Sequence, residues 1–307
     1  MCLCSNKTSH APEPGTDELV PSRYALRVGE IDVLVISDGL LSMKTPDLAT
    51  NADAAVRVAW LDEMFLPRDE MVWPLNVAVL RSGGRTILVD SGIGTEVPDF
   101  TRAGQWRLRL EASGVDLASV TDVVLTHMHF DHVGGLLVDG VKNKLRPDLP
   151  IYVSAAEAKF WSSPDFSRSA SMPKWFPDAA RSAANRFLAE YGNQLRLFDA
   201  ECEVAPGVVM RRTGGHTAGH SVVRVASGSD RLTFAGDAIL PASFDHPDWY
   251  NAFEHDPEEA ARVRVDLLRE LAETGELLVA GHLPFPSVGH VAVAGDAFRW
   301  APAYWNF

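Results

Sequence analysis

The chain has 307 residues, 46% of them apolar and 22% charged, with a formal net charge of −13. That length and composition suit a soluble globular protein with a sizeable core and exclude a disordered chain. The acidic balance repels a phosphate backbone and no basic run offsets it, so nucleic acid is not an expected partner. No apolar run approaches the roughly 20 residues that span a bilayer, so no membrane partner is expected either. Cys2, Cys4 and Cys202 form no plausible disulfide framework.

Residues 1–22 are rich in Ser, Thr, Pro and charge and lack the apolar centre of a secretory signal. They read as a disordered leader to a cytoplasmic protein, followed by a single domain over 23–307. Ala25–Val28 and Ile31–Ile36 form a predicted hairpin over Gly29-Glu30, with Ser37-Asp38-Gly39 ending its second strand. A helix is expected over 51–66. Leu75–Leu80 and Thr86–Val89 make a second hairpin over Ser82-Gly83-Gly84, ending at Asp90-Ser91-Gly92. Another helix is expected over 101–114, stopped by Gly114. Val120–Leu125 then feeds Thr126-His127-Met128-His129-Phe130-Asp131-His132.

Ile151–Val153 reads as a buried strand and Ala155–Trp161 as a helix. Residues 162–192 read as a lid or insertion with a helix from Asp178 to Tyr191. Short strands follow at Leu195–Phe198 and Val208–Met210, and 256–273 is an amphipathic helix. Hairpins with interspersed helices, without strict alternation, favour an α+β fold.

The cluster carries three histidines and an aspartate within six residues at a strand end. Alternation in a strand sends His127 and His129 to one side, while Asp131 and His132 are free to turn. Three more strand-like runs end in a Gly followed by a metal-grade ligand: Gly215-His216, Gly236-Asp237 and Gly281-His282. Imidazoles and carboxylates without a thiolate suit Zn²⁺, with Mn²⁺, Fe²⁺ and Co²⁺ as competitors.

The set His127, His129, Asp131, His132, His216, Asp237 and His282 resembles the dinuclear ligand set of the metallo-β-lactamase superfamily. The resemblance implies a four-layer αβ/βα sandwich of two mixed sheets with helices outside. It implies a first metal held by His127, His129 and His216, and a second by Asp131, His132 and His282. Asp237 would bridge the two. Asp237 and the lack of a cysteine at a strand end set the chain apart from true β-lactamases. His129 sets it apart from the flavodiiron members, and the missing basic surface from the nuclease branches.

Val28-Gly29-Glu30-Ile31, Leu88–Gly92, Glu157–Trp161 and Gly281–Pro286 are similar to the methyl parathion hydrolase and quorum-quenching lactonase branch. That likeness implies an apolar substrate pocket lined by Trp161, with Trp175 or Phe176. Two ions about 3.5–4 Å apart share and ionise a water, and the expected nucleophile is this bridging hydroxide. Asp131 either shuttles a proton to the leaving oxygen or only ligates. The leading expectation is a hydrolase of lactones, such as N-acyl homoserine lactones, or related carboxyl esters. An organophosphate triester hydrolase is the alternative; a thioester hydrolase or a non-enzymatic metal-dependent sensor follows behind.

Among other residues, His220 and Asp90 are expected to support ligands rather than ligate. His290 reads as structural or pocket-lining, and His246 and His255 as surface residues in polar loops. Trp60, Phe65 and Trp73 read first as core packing, with pocket closure or a homodimer interface as the alternatives.

Overall fold

The structure is a computed structural model that describes residues 20–169 and 171–305. The leader expected at 1–22 lies outside the described residues up to position 19, as do Cys2 and Cys4. Among the described residues no helix is long and apolar enough to cross a membrane.

Among the described residues fourteen strands form two seven-stranded sheets. The first runs in sequence order: β1 (Arg23–Val28), β2 (Ile31–Lys44), β3 (Glu70–Ser82), β4 (Arg85–Val89), β5 (Asp122–Val124), β6 (Ile151–Ser154) and β7 (Leu195–Phe198). Its early neighbours are antiparallel hairpin partners, and β4 to β7 are parallel. The second holds β8 (Glu201–Ala205), β9 (Val208–Arg212), β10 (Ser221–Ser227), β11 (Asp230–Phe234), β12 (Leu277–Val279), β13 (Gly289–Ala294) and β14 (Ala297–Pro302). Only β11 and β12 run parallel there.

Strand alternation builds the layers. On β3, Ala78 and Leu80 face the second sheet, while Val77 and Val79 face helices. On β4, Ile87 and Val89 face inward and Leu88 outward. Strands covered on both faces read as continuous apolar runs, which is why these stretches show little polar alternation. Val208, Met210, Val223, Val225 and Phe234 complete the inter-sheet core. The helix Pro257–Thr274 closes the outside of the second sheet through Leu267, Leu268 and Leu271. The result is helix, sheet, sheet, helix: the expected α+β sandwich.

Several boundaries differ from those expected. β2 does not stop at Ser37 but continues to Lys44 across a bulge between Ser37 and Gly39. Gly39 has φ +122°, and a Cβ there would sit 2.1 Å from the Arg102 carbonyl oxygen. The glycine bends a continuous strand rather than ending it. The bend buries Asp38, whose carboxylate accepts from the backbone N–H of Ile93 (2.8 Å) and Trp106 (2.7 Å). The helix expected over 101–114 shortens to Trp106–Ala112. Of 162–192, the described residues of 163–175 form no helix or strand. The helix Phe176–Tyr191 packs Ala180, Ala183, Ala184 and Phe187 into the outer core.

Candidate metal centre

Both sheets release their chains at one edge. β4 runs into Asp90, β5 into His127, β9 into His216, β11 into Asp237 and β12 into His282. Residues far apart in sequence therefore meet in two groups: His127, His129 and His216; and Asp131, His132, Asp237 and His282. Within each group the donor atoms lie within 4.8 Å of one another.

In the first group three ring nitrogens converge. His129 Nδ1 lies 3.0 Å from His127 Nε2 and 3.2 Å from His216 Nε2. In the second, Asp131 Oδ2 lies 3.5 Å from His282 Nε2 and 3.7 Å from His132 Nε2. Asp237 lies between the groups. Its Oδ2 is 3.0 Å from His282 Nε2 and 3.4 Å from His216 Nε2, and its Oδ1 is 3.3 Å from His132 Nε2.

A cation fits this set. His132 Nε2 and Asp237 Oδ1 are fully shielded and make no hydrogen bond despite facing each other. Buried nitrogen and carboxylate oxygen atoms that converge without a hydrogen bond between them are what a bound cation satisfies. The opposite ring nitrogens are anchored instead. His132 Nδ1 lies 2.8 Å from Asp90 Oδ2, and His282 Nδ1 donates to the Pro74 carbonyl at 2.8 Å. Such contacts fix the tautomer that points Nε2 inward. Asp90 adopts φ +56° and also accepts from the Thr126 N–H and hydroxyl. His220 does not join the ligands: Thr213 Oγ1 lies 2.8 Å from its Nδ1, and its Nε2 accepts from the Asp237 N–H at 3.1 Å.

Burial pushes His127, His129 and His216 well below the ordinary imidazole range. Burial also works against charge on His132 and His282, but the carboxylates of Asp237 and Asp131 outweigh it and hold both above that range. Burial raises the Asp131 carboxyl. For Asp237 burial acts the same way, yet His282 and His132 keep it well below the usual carboxylate range. The metal-free centre thus has a neutral half and a charge-separated half.

One buried carboxylate ties the ligand loops together. Glu157 Oε1 accepts from the Met128 N–H and Trp161 Nε1, and Oε2 from the Thr217 hydroxyl and Gly219 N–H. This corrects the reading of Trp161 as pocket wall. One helical turn after Glu157, its indole turns back to that carboxylate and packs behind His129, off the cavity. Trp175 and Phe176 do line the cavity. It encloses about 400 Å³ including its open mouth. Phe253 packs on Phe176 and edge-on to Trp73, which lies against His282. Of the aromatic trio, Trp60 is core, Trp73 lines the cavity, and Phe65 is 96% exposed.

His255 also departs from expectation. It is buried, not on the surface, and its Nε2 lies 3.0 Å from His129 Nε2. It sits on the loop after β11, with Asn251 and Phe253, where no periodicity marks any residue. His246 is partly buried and stacks on Trp249; His290 is exposed and bonds to the Gly275 carbonyl.

A family model described as the metallo-beta-lactamase superfamily matches residues 71–282. Two curated relatives, each named a "Probable metallo-hydrolase", come from Mycobacterium bovis and Mycobacterium tuberculosis. Each is 25% identical over 190 residues, covering 53% of this chain and 56% of its own. The chain thus spans about half the length of the curated relatives it matches. Among solved structures, the dizinc quorum-quenching lactonase AidC, in complex with a homoserine product, superposes with TM-score 0.85 at 24% identity. The match covers 93% of this chain and 99% of that one. The hydrolase AbOPH superposes with TM-score 0.82 at 26% identity, over 94% and 99%. A quorum-quenching N-acyl homoserine lactone lactonase gives TM-score 0.60 at 17% identity, over 87% and 99%. With a family match over more than half its length and the sandwich that such a family builds, this chain belongs to the metallo-beta-lactamase superfamily.

Proposed function

We propose that this protein is a dinuclear metal-dependent hydrolase that opens lactones, including N-acyl homoserine lactones, or related carboxyl esters. The position of the Asp237 carboxylate carries the reading: its two oxygens reach toward His132, His216 and His282, and so toward both ligand groups. His127, His129 and His216 would hold one ion and Asp131, His132 and His282 the other, with Asp237 shared. Zn²⁺ suits these donors best. When bound, two such ions supply a hydroxide-strength nucleophile at neutral pH and stabilise the developing oxyanion.

The chain's own residues do the rest. Asp90 and the Pro74 carbonyl hold His132 and His282 with Nε2 inward. Phe176, Phe253 and Trp73 form an apolar wall beside the ligands that excludes water and accepts an acyl chain. Asp131 is 8% exposed and lines the cavity, which supports a part in passing a proton to the leaving oxygen; the alternative is that it only ligates. The homoserine product bound by AidC and the lactonase activity of the other structural neighbour support the substrate class.

The test loads purified protein with zinc or manganese, counts the ions by elemental analysis, and assays two substrates. Opening of an N-acyl homoserine lactone with two ions per chain is expected. Cleavage of an aryl phosphotriester in its place would select the phosphotriester reading. Failure of both with two ions bound would refute the hydrolase.

A further inference from the structure

Two residues of the cavity wall carry nitrogen donors that nothing among the described residues accepts from. Asn251 is 3% exposed and Trp73 4%, and both line the cavity. Asn251 Nδ2 and Trp73 Nε1 have no hydrogen-bond partner among the described residues.

The Asn251 amide is oriented by the chain itself. Its Oδ1 accepts from the Phe253 N–H at 2.9 Å, a contact only the oxygen can make, which leaves Nδ2 as the free end. The loop beneath is built rigidly. Glu254 Oε2 accepts from the Asn251 N–H at 2.9 Å, and Glu254 Oε1 pairs with the buried Arg264 guanidinium. Arg264 also donates to the Pro247 and Trp249 carbonyls. The Asp47 carbonyl accepts from the Ala252 N–H at 2.8 Å. A fixed donor buried without an acceptor is costly in a folded protein, and one in a cavity wall calls for a partner from outside the chain.

We propose that Asn251 Nδ2 and Trp73 Nε1 determine specificity by donating hydrogen bonds to an acceptor oxygen of the substrate outside the scissile bond. The best-matched chemistry is an amide carbonyl attached next to a lactone ring. The inference rests on the lactonase reading above and narrows it from lactones in general to N-acylated amino lactones. The argument is one of complementarity. Apart from the half-exposed indole of Trp175, the other polar lining residues, His129, Asp131, His216, Asp237 and His282, fall in the two groups that could hold metal. A substrate with only an alkyl chain beyond its lactone would leave both donors unpaired on binding. A site built to hydrogen-bond a substrate group discriminates strongly against an analogue that lacks it.

The experiment compares wild type, Asn251→Ala and Trp73→Phe, all metal-loaded, on an N-acyl homoserine lactone and a plain alkyl lactone of matching length. The indole-to-phenyl change keeps an apolar ring and removes the N–H. Calorimetry on the ring-opened N-acyl homoserine gives a readout independent of turnover, and ion content is counted for each variant. The expected result is a kcat/KM loss at least about tenfold greater on the amide-bearing lactone than on the plain one. Product binding weakens in parallel, with ion content unchanged. Equal losses on both lactones, or loss on neither, overturn the inference while the lactonase reading stands. Wild type that holds two ions and opens neither lactone overturns that reading, and the inference with it.

Discussion

His255 Nε2 stands 3.0 Å from His129 Nε2, on the side of the ring opposite the nitrogen that faces His127 and His216. With Nδ1 kept for a metal, His129 would carry its proton on Nε2 and donate it to His255. A ligand imidazole is usually oriented by a carboxylate or carbonyl; for His129 as a ligand, another imidazole would do it. Burial pushes His255 down to about 3, so it is a neutral acceptor at ordinary pH.

Replacing His255 with Phe should keep the packing against Phe160 and Trp161 but remove the acceptor. We expect metal affinity to fall about 10- to 100-fold, as for other partners of ligand histidines. Competition with a chromophoric chelator measures it. Partial recovery with His255→Gln, which restores an acceptor, would separate orientation from volume; equal affinity in all three proteins would reduce His255 to packing.

His255 also marks where the sequence stops being legible. The seven ligand candidates are readable because each follows a strand end, and strand ends are marked by β-branched runs and glycine. Layer order is readable from hairpin turns such as Ser82-Gly83-Gly84. Asn251, Phe253 and His255 lie on an irregular loop whose position depends on Glu254 finding Arg264, ten residues on. Such a contact leaves no period. Trp161 was misplaced for a related reason: a helix face does not reveal which carboxylate an indole will reach. Ser37-Asp38-Gly39 has the composition of a turn, and only pairing with β3 shows that the strand runs through it.

The two halves of the centre should load differently with pH. His127, His129 and His216 are neutral through the mildly acidic range because burial depresses them. His132 and His282 are held above their ordinary range in the metal-free chain, so protons compete longer for their Nε2 atoms as pH rises. Metal binding needs unprotonated imidazole. Lowering pH should therefore empty the second group first, taking bound ions from two per chain to one before zero. Elemental analysis after dialysis across a pH series checks this; simultaneous loss of both ions would contradict it.

Asp237→Ala removes the carboxylate between the groups. The expected result is loss of most of the second ion together with most of the activity, since His132 and His282 keep only Asp131 as an acidic neighbour in the group. Ion counts on purified variant and wild type read it out. Retention of two ions per chain would show that the carboxylate does not bridge.

Glu157 is the strongest test of how the ligand loops are held. Its four acceptor contacts join the Met128 N–H, beside His127 and His129, to Thr217 and Gly219, just after His216. Burial raises its carboxyl, while the hydroxyl, indole and backbone donors oppose that rise. In Glu157→Gln one oxygen can still serve Met128 and Trp161. The amide nitrogen then faces the Thr217 hydroxyl, which can turn to accept, and the Gly219 N–H, which cannot. One buried backbone donor is left without a partner, at a cost of about 1–3 kcal/mol. Thermal unfolding should report that loss, and amide exchange should quicken at Gly219 more than at Met128. Metal affinity of the first group should weaken as well, because His216 sits on the loosened loop. If stability and exchange instead stay at wild-type values, the Glu157 contacts to Thr217 and Gly219 do not hold the ligand loops together.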